Sequence, residues 1–316
     1  MTSEHNIGLD FGFFNNRISG SIDVYSRTTN DLIFNKAVGS VNGFNSIYEN
    51  IGTTTNKGIE IGLNTVNISN QDFYWKSKFS FSLNRNKIKD LYGDKKDDLG
   101  NRWFIGKPIN VIYDLKQIGI WQESEAEEAA LYGQSVGHIK VEDVNGDYNL
   151  DQQDYQIVGS PNPDWMAGMV NTFSYKNIDL SFDMYARIGG LYNDSFAYTF
   201  TAWDNEHWNK ADVNYWTPDN QSNDYQEVGA QSYNTQVLGQ VSGTFVKIQN
   251  ITLGYSLNDK MNKFLGLNNS RIYGSVQNPF TFSDYIGSDP EIIGEDLNTQ
   301  LSLFPMTFTL GVNLNF

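Results

Sequence analysis

Residues 306 to 316 read MTFTLGVNLNF, and the residue types alternate there without a break. Met306, Phe308, Leu310, Val312, Leu314 and Phe316 hold the even positions, while Thr307, Thr309, Gly311, Asn313 and Asn315 hold the odd ones. Successive side chains of a strand point to opposite faces, so such a strand has one face for apolar surroundings and one for water. The same pattern recurs near the start of the chain. Ile7, Leu9, Phe11 and Phe13 share a face, and beyond Asn15 and Asn16 so do Ile18, Ile22 and Val24. Asn-Asn suits the positive φ of a tight hairpin, so these two segments are expected to pair.

Further strands are expected at about 57–67 (Ile59, Ile61, Leu63), 73–84 (Phe73, Trp75, Phe79, Phe81, Leu83), 166–175 and 178–188 (Ile178, Leu180, Phe182, Met184), and again at about 242–257, 270–280 and 306–316, nine in all. With 14% aromatic residues and 28 glycines against 39% hydrophobic residues overall, the composition also has an all-β character.

The connections sort into two classes in strict turn. Those at 14–16, 68–72, 176–177 and 258–269 are short or moderate, and those at about 34–56, 85–165, 189–241 and 281–305 are long. A β-sandwich has no reason to alternate in this way, whereas outer-membrane barrels have short periplasmic turns and long external loops. No stretch approaches the roughly 18 apolar residues of a membrane helix, which says nothing against a barrel. The expected fold is therefore all-β: a transmembrane antiparallel β-barrel, or part of a large one, with about 9–11 strands.

The upper figure depends on the region 85–165, read as a long external excursion. Within it, NVIYDLKQIGIWQ (110–122) supplies either two barrel strands or a loop hairpin. SEAEEAALYG then carries a capping box, Ser124 with Glu127, and a stop at Gly133, so one short helix is expected.

A net charge of −15 with no cluster of Lys and Arg argues against nucleic acid as a partner. Cysteine is absent, so neither a disulfide framework nor a thiolate metal site is available. The opening MTSEHNIGLDFGFF lacks the basic start and apolar run of a secretory signal.

Several stretches together resemble the C-terminal portion of SusC/RagA-type TonB-linked outer-membrane transporters. They are GLDFGFFNNRISGSIDVYSR (8–27), VEDVNGDYNLDQQDYQIVGSPNPDW (141–165), YWTPDN (215–220), GTFVKIQNITLGYSL (243–257), RIYGSVQNPFTFSDYIGSDPE (271–291) and the closing strand. The resemblance covers nearly the whole chain, 1–316, and includes order and spacing. It implies outer-membrane import of oligosaccharides or peptides through a large barrel, with a SusD-like surface lipoprotein as lid and TonB acting through an N-terminal plug. The plug and the earlier strands have no counterpart in these residues. The first and last strands are accordingly expected to pair with missing barrel strands, because wide barrels need about 16–22. The resemblance also implies that a terminal strand ending in Phe is read by the barrel-assembly machinery.

Three places are candidates for chemistry. DVNGDYNLDQQD sets Asp143, Asn145, Asp147, Asn149, Asp151 and Asp154 at the positions of a Ca²⁺ loop, but Tyr148 stands where Gly makes the turn and Asp154 where Glu closes it. The alternative is a solvated Asx-rich turn. The aromatic stretch 192–220 offers Trp203, Trp208 and Trp216 as substrate-binding residues, stacking on sugar rings, although a partner lid or a membrane interface would use aromatics equally well. His5, His138 and His207 are scattered without metal-ligand spacing, and there is no G-x-S-x-G, P-loop or zinc motif, so no enzyme is expected. A soluble all-β carbohydrate-binding or adhesin module stands as the rival reading, with the apolar strand faces buried in a core instead of facing lipid.

Overall fold

The computed structural model describes residues 1–37, 43, 46–93, 95–203, 209–230, 234–302 and 304–316. Its strands, in chain order, are β1 (Thr2–Phe13), β2 (Ile18–Ala37), β3 (Ser46–Ser69), β4 (Phe73–Asp90), β5 (Ile112–Asp114), β6 (Gln117–Ile120), β7 (Ile139–Val141) and β8 (Gln156–Gly159). They continue as β9 (Trp165–Tyr175), β10 (Ile178–Ile188), β11 (Leu191–Asn193), β12 (Gln240–Ser242), β13 (Phe245–Ser256), β14 (Asn268–Phe282) and β15 (Thr307–Asn315). The helices α1 (Ala126–Leu131), α2 (Ser195–Thr201), α3 (Asp259–Leu265) and α4 (Leu297–Gln300) are all short.

Among the described residues nine strands form one antiparallel sheet in the order β1-β2-β3-β4-β9-β10-β13-β14-β15, and the other strands make three two-stranded sheets. β5 pairs with β8 and β6 with β7, so the 110–122 segment adds nothing to the main sheet. β1 and β15 are its two ends and, among the described residues, are not paired with each other.

Register makes the sheet strictly two-faced. Residues opposite each other in an antiparallel pair share a face, and one unbroken apolar row runs Leu9, Ile22, Ile61, Phe81, Ala167, Ala186, Val246, Phe282. The adjacent row on the other face reads Asp10, Ser21, Gly62, Ser80, Gly168, Tyr185, Lys247, Thr281. Hollows in the molecule identify the inside of the curl. One of about 530 Å³ is lined by Glu4, Asn6, Asp23, Tyr25, Arg27, Asn56, Glu60 and Asn84, all polar-face residues of β1 to β4. The sheet therefore curves around its polar face and turns its apolar face outward.

No second sheet covers that outward face among the described residues. Ile7 is 79% exposed, Phe308 74% and Leu310 89%, which a soluble sandwich, burying this face in its core, would not leave in water. On β4 the face stays apolar from Phe73 to Leu83 apart from Ser77, whose hydroxyl donates to Asn171 Oδ1 at 2.6 Å. At about 3.3 Å per residue and a tilt near 45°, that length gives a band roughly 25 Å tall, the height expected of a lipid-facing belt. Beyond it the outward row becomes His5, Ser26, Lys57, Arg85, and polar residues continue upward.

The expected long connection at 34–56 is corrected. β2 and β3 run on as a 20- and a 24-residue strand, well past the 9–11 residues that cross a bilayer. Above the band apolar residues such as Leu32 and Ile33, or Ile47 and Tyr48, are neighbours in sequence instead of alternating with polar ones, so the period of two fades while backbone pairing persists. The first turn is as expected in place but wider in strain, with Phe14, Asn15 and Asn16 all at positive φ (55°, 56° and 62°). The short helix α1 is present with Gly133 at φ 64° beyond it, but the capping box belongs to the preceding turn, Gln122 with Glu125, and not to Ser124 with Glu127.

Candidate functional site

Three long excursions, 91–164, 189–244 and 283–306, leave the same edge of the nine-stranded sheet, and the connections 14–17, 70–72, 176–177 and 257–267 lie at the other. The first two build a joint core. Leu115, Ile120, Ile139 and Val141 pack against Ala202, Trp216, Val237 and Leu238, all at most 5% exposed. The third is tied in by Asp194, the N-cap of α2, which is 2% exposed. Its carboxylate accepts from Ala197 N–H (2.7 Å), the Tyr285 hydroxyl (3.3 Å), Gly294 N–H (3.1 Å) and the Gln300 amide. Burial, and then the negative charge of Asp194, pushes the Tyr285 phenol well above its ordinary value, so it remains a donor.

The assembly is fastened to the wall of the sheet. Arg187 on β10 donates to Gly243 O (3.0 Å) and Pro290 O (2.9 Å), with its guanidinium over the rings of Tyr192 and Phe245. Lys247 on β13 meets Asp289 and Glu291, both at 2.6 Å. Charged concave-face side chains thus hold the last excursion across the strand ends.

Between the excursions lies a cavity of about 790 Å³ whose lining includes Gln117, Asn223, Asp224, Tyr225, Gln240 and Asp284 beside Ile118 and Leu191. Asn223 Oδ1 accepts from Ile120 N–H (3.2 Å) and the Gln122 amide (3.0 Å), and Gln117 donates to Asp224 O (3.3 Å), so the lining is held in place. Amides, two carboxylates and a phenol alternating with aliphatic patches suit a polar ligand with hydroxyl or amide groups. None of these residues stands out in the sequence, because the cavity joins segments about a hundred residues apart.

Trp216 is 3% exposed, its Nε1 donating to Gln122 Oε1 at 2.9 Å, so its ring serves the core and has no face for a sugar. Trp203 is half-buried and meets Tyr215 edge-on, with centroids 6.1 Å apart. Trp208 and His207 lie outside the described residues. His5 is on the outward rim of β1, and His138 is paired with Gln134 Oε1 at 3.1 Å.

In the Asp/Asn-rich loop the side chains cap their own backbone. Asp143 accepts from Gly146 N–H (2.7 Å) and Tyr148 N–H (3.0 Å), Asn145 from Asp147 N–H, and Asp147 from Asn149 N–H. Asp151 accepts from Gln153 N–H, while Asp154 accepts from Val144 N–H and Asp151 N–H. Tyr148, at φ 63°, takes the turn expected of Gly. Among the described residues no three acidic or histidine side chains stand close enough to hold a metal ion. The arrangement is that of linked Asx turns.

No protein-family model matches the chain. It is 33% identical over 337 residues to TonB-dependent receptor P3 of Formosa agariphila, covering 98% of this chain and 33% of that protein. It is 32% identical over 336 residues to TonB-dependent receptor SusC of Bacteroides thetaiotaomicron, covering 100% and 32% respectively. The fold matches the RagAB peptide importer in its open-open state with a TM-score of 0.80 and 26% identity, over 100% of this chain and 34% of that one. The chain thus spans about a third of the length of its relatives.

Proposed function

Because the chain is homologous along its whole length to TonB-dependent receptors of the SusC/RagA type, we propose that it forms part of an outer-membrane importer of this kind. Its nine-stranded sheet is barrel wall, its concave face lines the lumen, and its excursions form an external binding region. The observation that carries the reading is the outward apolar band on a sheet against which, among the described residues, no second sheet packs. In hydrocarbon each unpaired backbone group at β1 and β15 would cost several kcal/mol, so both ends pair with further strands of a larger barrel.

The cargo is a large polar nutrient, an oligosaccharide or a peptide, captured with a SusD-like lipoprotein and moved by TonB acting on a plug. The RagAB match supports a peptide, and the family resemblance of the sequence leaves an oligosaccharide open. Role and cargo are tested together by uptake of labelled oligosaccharides and peptides into cells carrying the native-length protein. Uptake of one class should stop on TonB deletion and on replacement of Asn223 and Tyr225 by Ala. Uptake of neither class, or uptake indifferent to TonB, would count against the reading.

A further inference from the structure

At the short-connection end α3 bridges β13 and β14, and its surface is unlike that of a turn in water. Met261, Phe264 and Leu265 are 43%, 89% and 53% exposed. They stand at i, i+3 and i+4 and so form one stripe, with Lys260 and Lys263 around the helix from it. Asn262 points to the strand ends, donating to Leu257 O (2.8 Å) and accepting from Ser270 N–H (3.3 Å).

The side of the sheet on which α3 sits follows from register. Tyr255 faces Ile272 in the last apolar row of these strands, and Leu257 N–H donates to Ser270 O two residues further on. By the period of two, Leu257 and Ser270 point to the outward face. They are nevertheless 8% and 0% exposed, where Ile272 is 47% exposed. A cover lies over the outward face at this row, and Asn262 of α3 bonds the backbone of both residues, Leu257 O and Ser270 N–H. The helix therefore flanks the lipid side of the rim, continuous with the exposed Leu253, Tyr255, Ile272 and Val312.

We propose that α3 is an interfacial helix: Met261, Phe264 and Leu265 enter the boundary between headgroups and acyl chains of the periplasmic phospholipid leaflet, and Lys260 and Lys263 reach the phosphates. Lysine stems accommodate such a position while the ammonium stays wet. The proposal rests on the barrel reading above.

These residues contain no cysteine, and any cysteine elsewhere in the native-length protein is first replaced by serine so that each label is single. The native-length protein carrying Phe264→Cys or Leu310→Cys, each bearing an environment-sensitive fluorophore, is reconstituted in phosphatidylethanolamine/phosphatidylglycerol vesicles. Nitroxides are placed at shallow or deep acyl positions. Shallow quenchers should dominate at 264 and deep ones at 310. A label at 264 that only aqueous iodide quenches, with 310 still quenched by deep nitroxides, overturns the interfacial helix and leaves the barrel standing. Loss of lipid quenching at 310 overturns the barrel itself.

Discussion

Lys247 on the concave face of β13 places its Nζ 2.6 Å from Asp289 Oδ2, and the two side chains are 2% and 3% exposed. Glu291 is a second acceptor at the same distance but is 39% exposed. Removing one member of a buried pair leaves an uncompensated charge, at a cost of about 3–5 kcal/mol. Lys247→Met is expected to lower stability by that order in urea titrations of the reconstituted protein. Lys247→Met with Asp289→Leu should recover a large part of the loss, because both desolvated charges are then gone.

The Tyr25 ring lies across Gly58 on the concave face, its hydroxyl 3.2 Å from Asn84 Oδ1, and a Cβ at Gly58 would also sit 2.6 Å from Leu83 O. A Cβ at Gly62 would meet only Ser21 Oγ, at 3.4 Å. Gly58→Val should therefore cost about 1–3 kcal/mol by overpacking, and Gly62→Ala almost nothing, in the same titration.

Much of this was legible in the sequence wherever one face was apolar. Ile59, Ile61 and Leu63 mark β3 across the band, but residues 46–56 of the same strand carry polar groups on both faces and read as loop. Turn chemistry marked the Asx-rich loop and the stop at Gly133. The candidate site was not legible. Trp216 looked like a stacking platform because exposure cannot be read from residue type, and Asp194 gains its donors from Tyr285, Gly294 and Gln300, 91 to 106 residues away.

Asp154 is fully buried, and its two oxygens accept from Val144 N–H and Asp151 N–H at 2.9 Å each. Asp154→Ala leaves two backbone donors unpaired at about 1–3 kcal/mol apiece. Hydrogen exchange at Val144 and Asp151 should accelerate strongly while the amides of β9 and β10 keep their protection.

Burial holds the His138 imidazole below its ordinary value of 6.5, against the raising effect of Glu227. The fold therefore prefers the neutral ring, and as pH falls through about 6.5 the unfolded chain takes up a proton first. The excursion should be at full stability above that pH and lose stability below it. Exchange of the Ile139 to Val141 amides, corrected for intrinsic rates, should show this between pH 8 and 5.5, and His138→Gln should flatten the trend.

A cysteine scan of residues 59 to 63 on β3 tests the lipid-facing wall most directly. In the native-length protein reconstituted in vesicles, labels at Ile59, Ile61 and Leu63 should be quenched by lipid nitroxides and shielded from iodide. Labels at Glu60 and Gly62 should show the reverse, a strict period of two. Five labels without alternation, or odd positions shielded from lipid and iodide alike by another part of the protein, would contradict a lipid-facing wall.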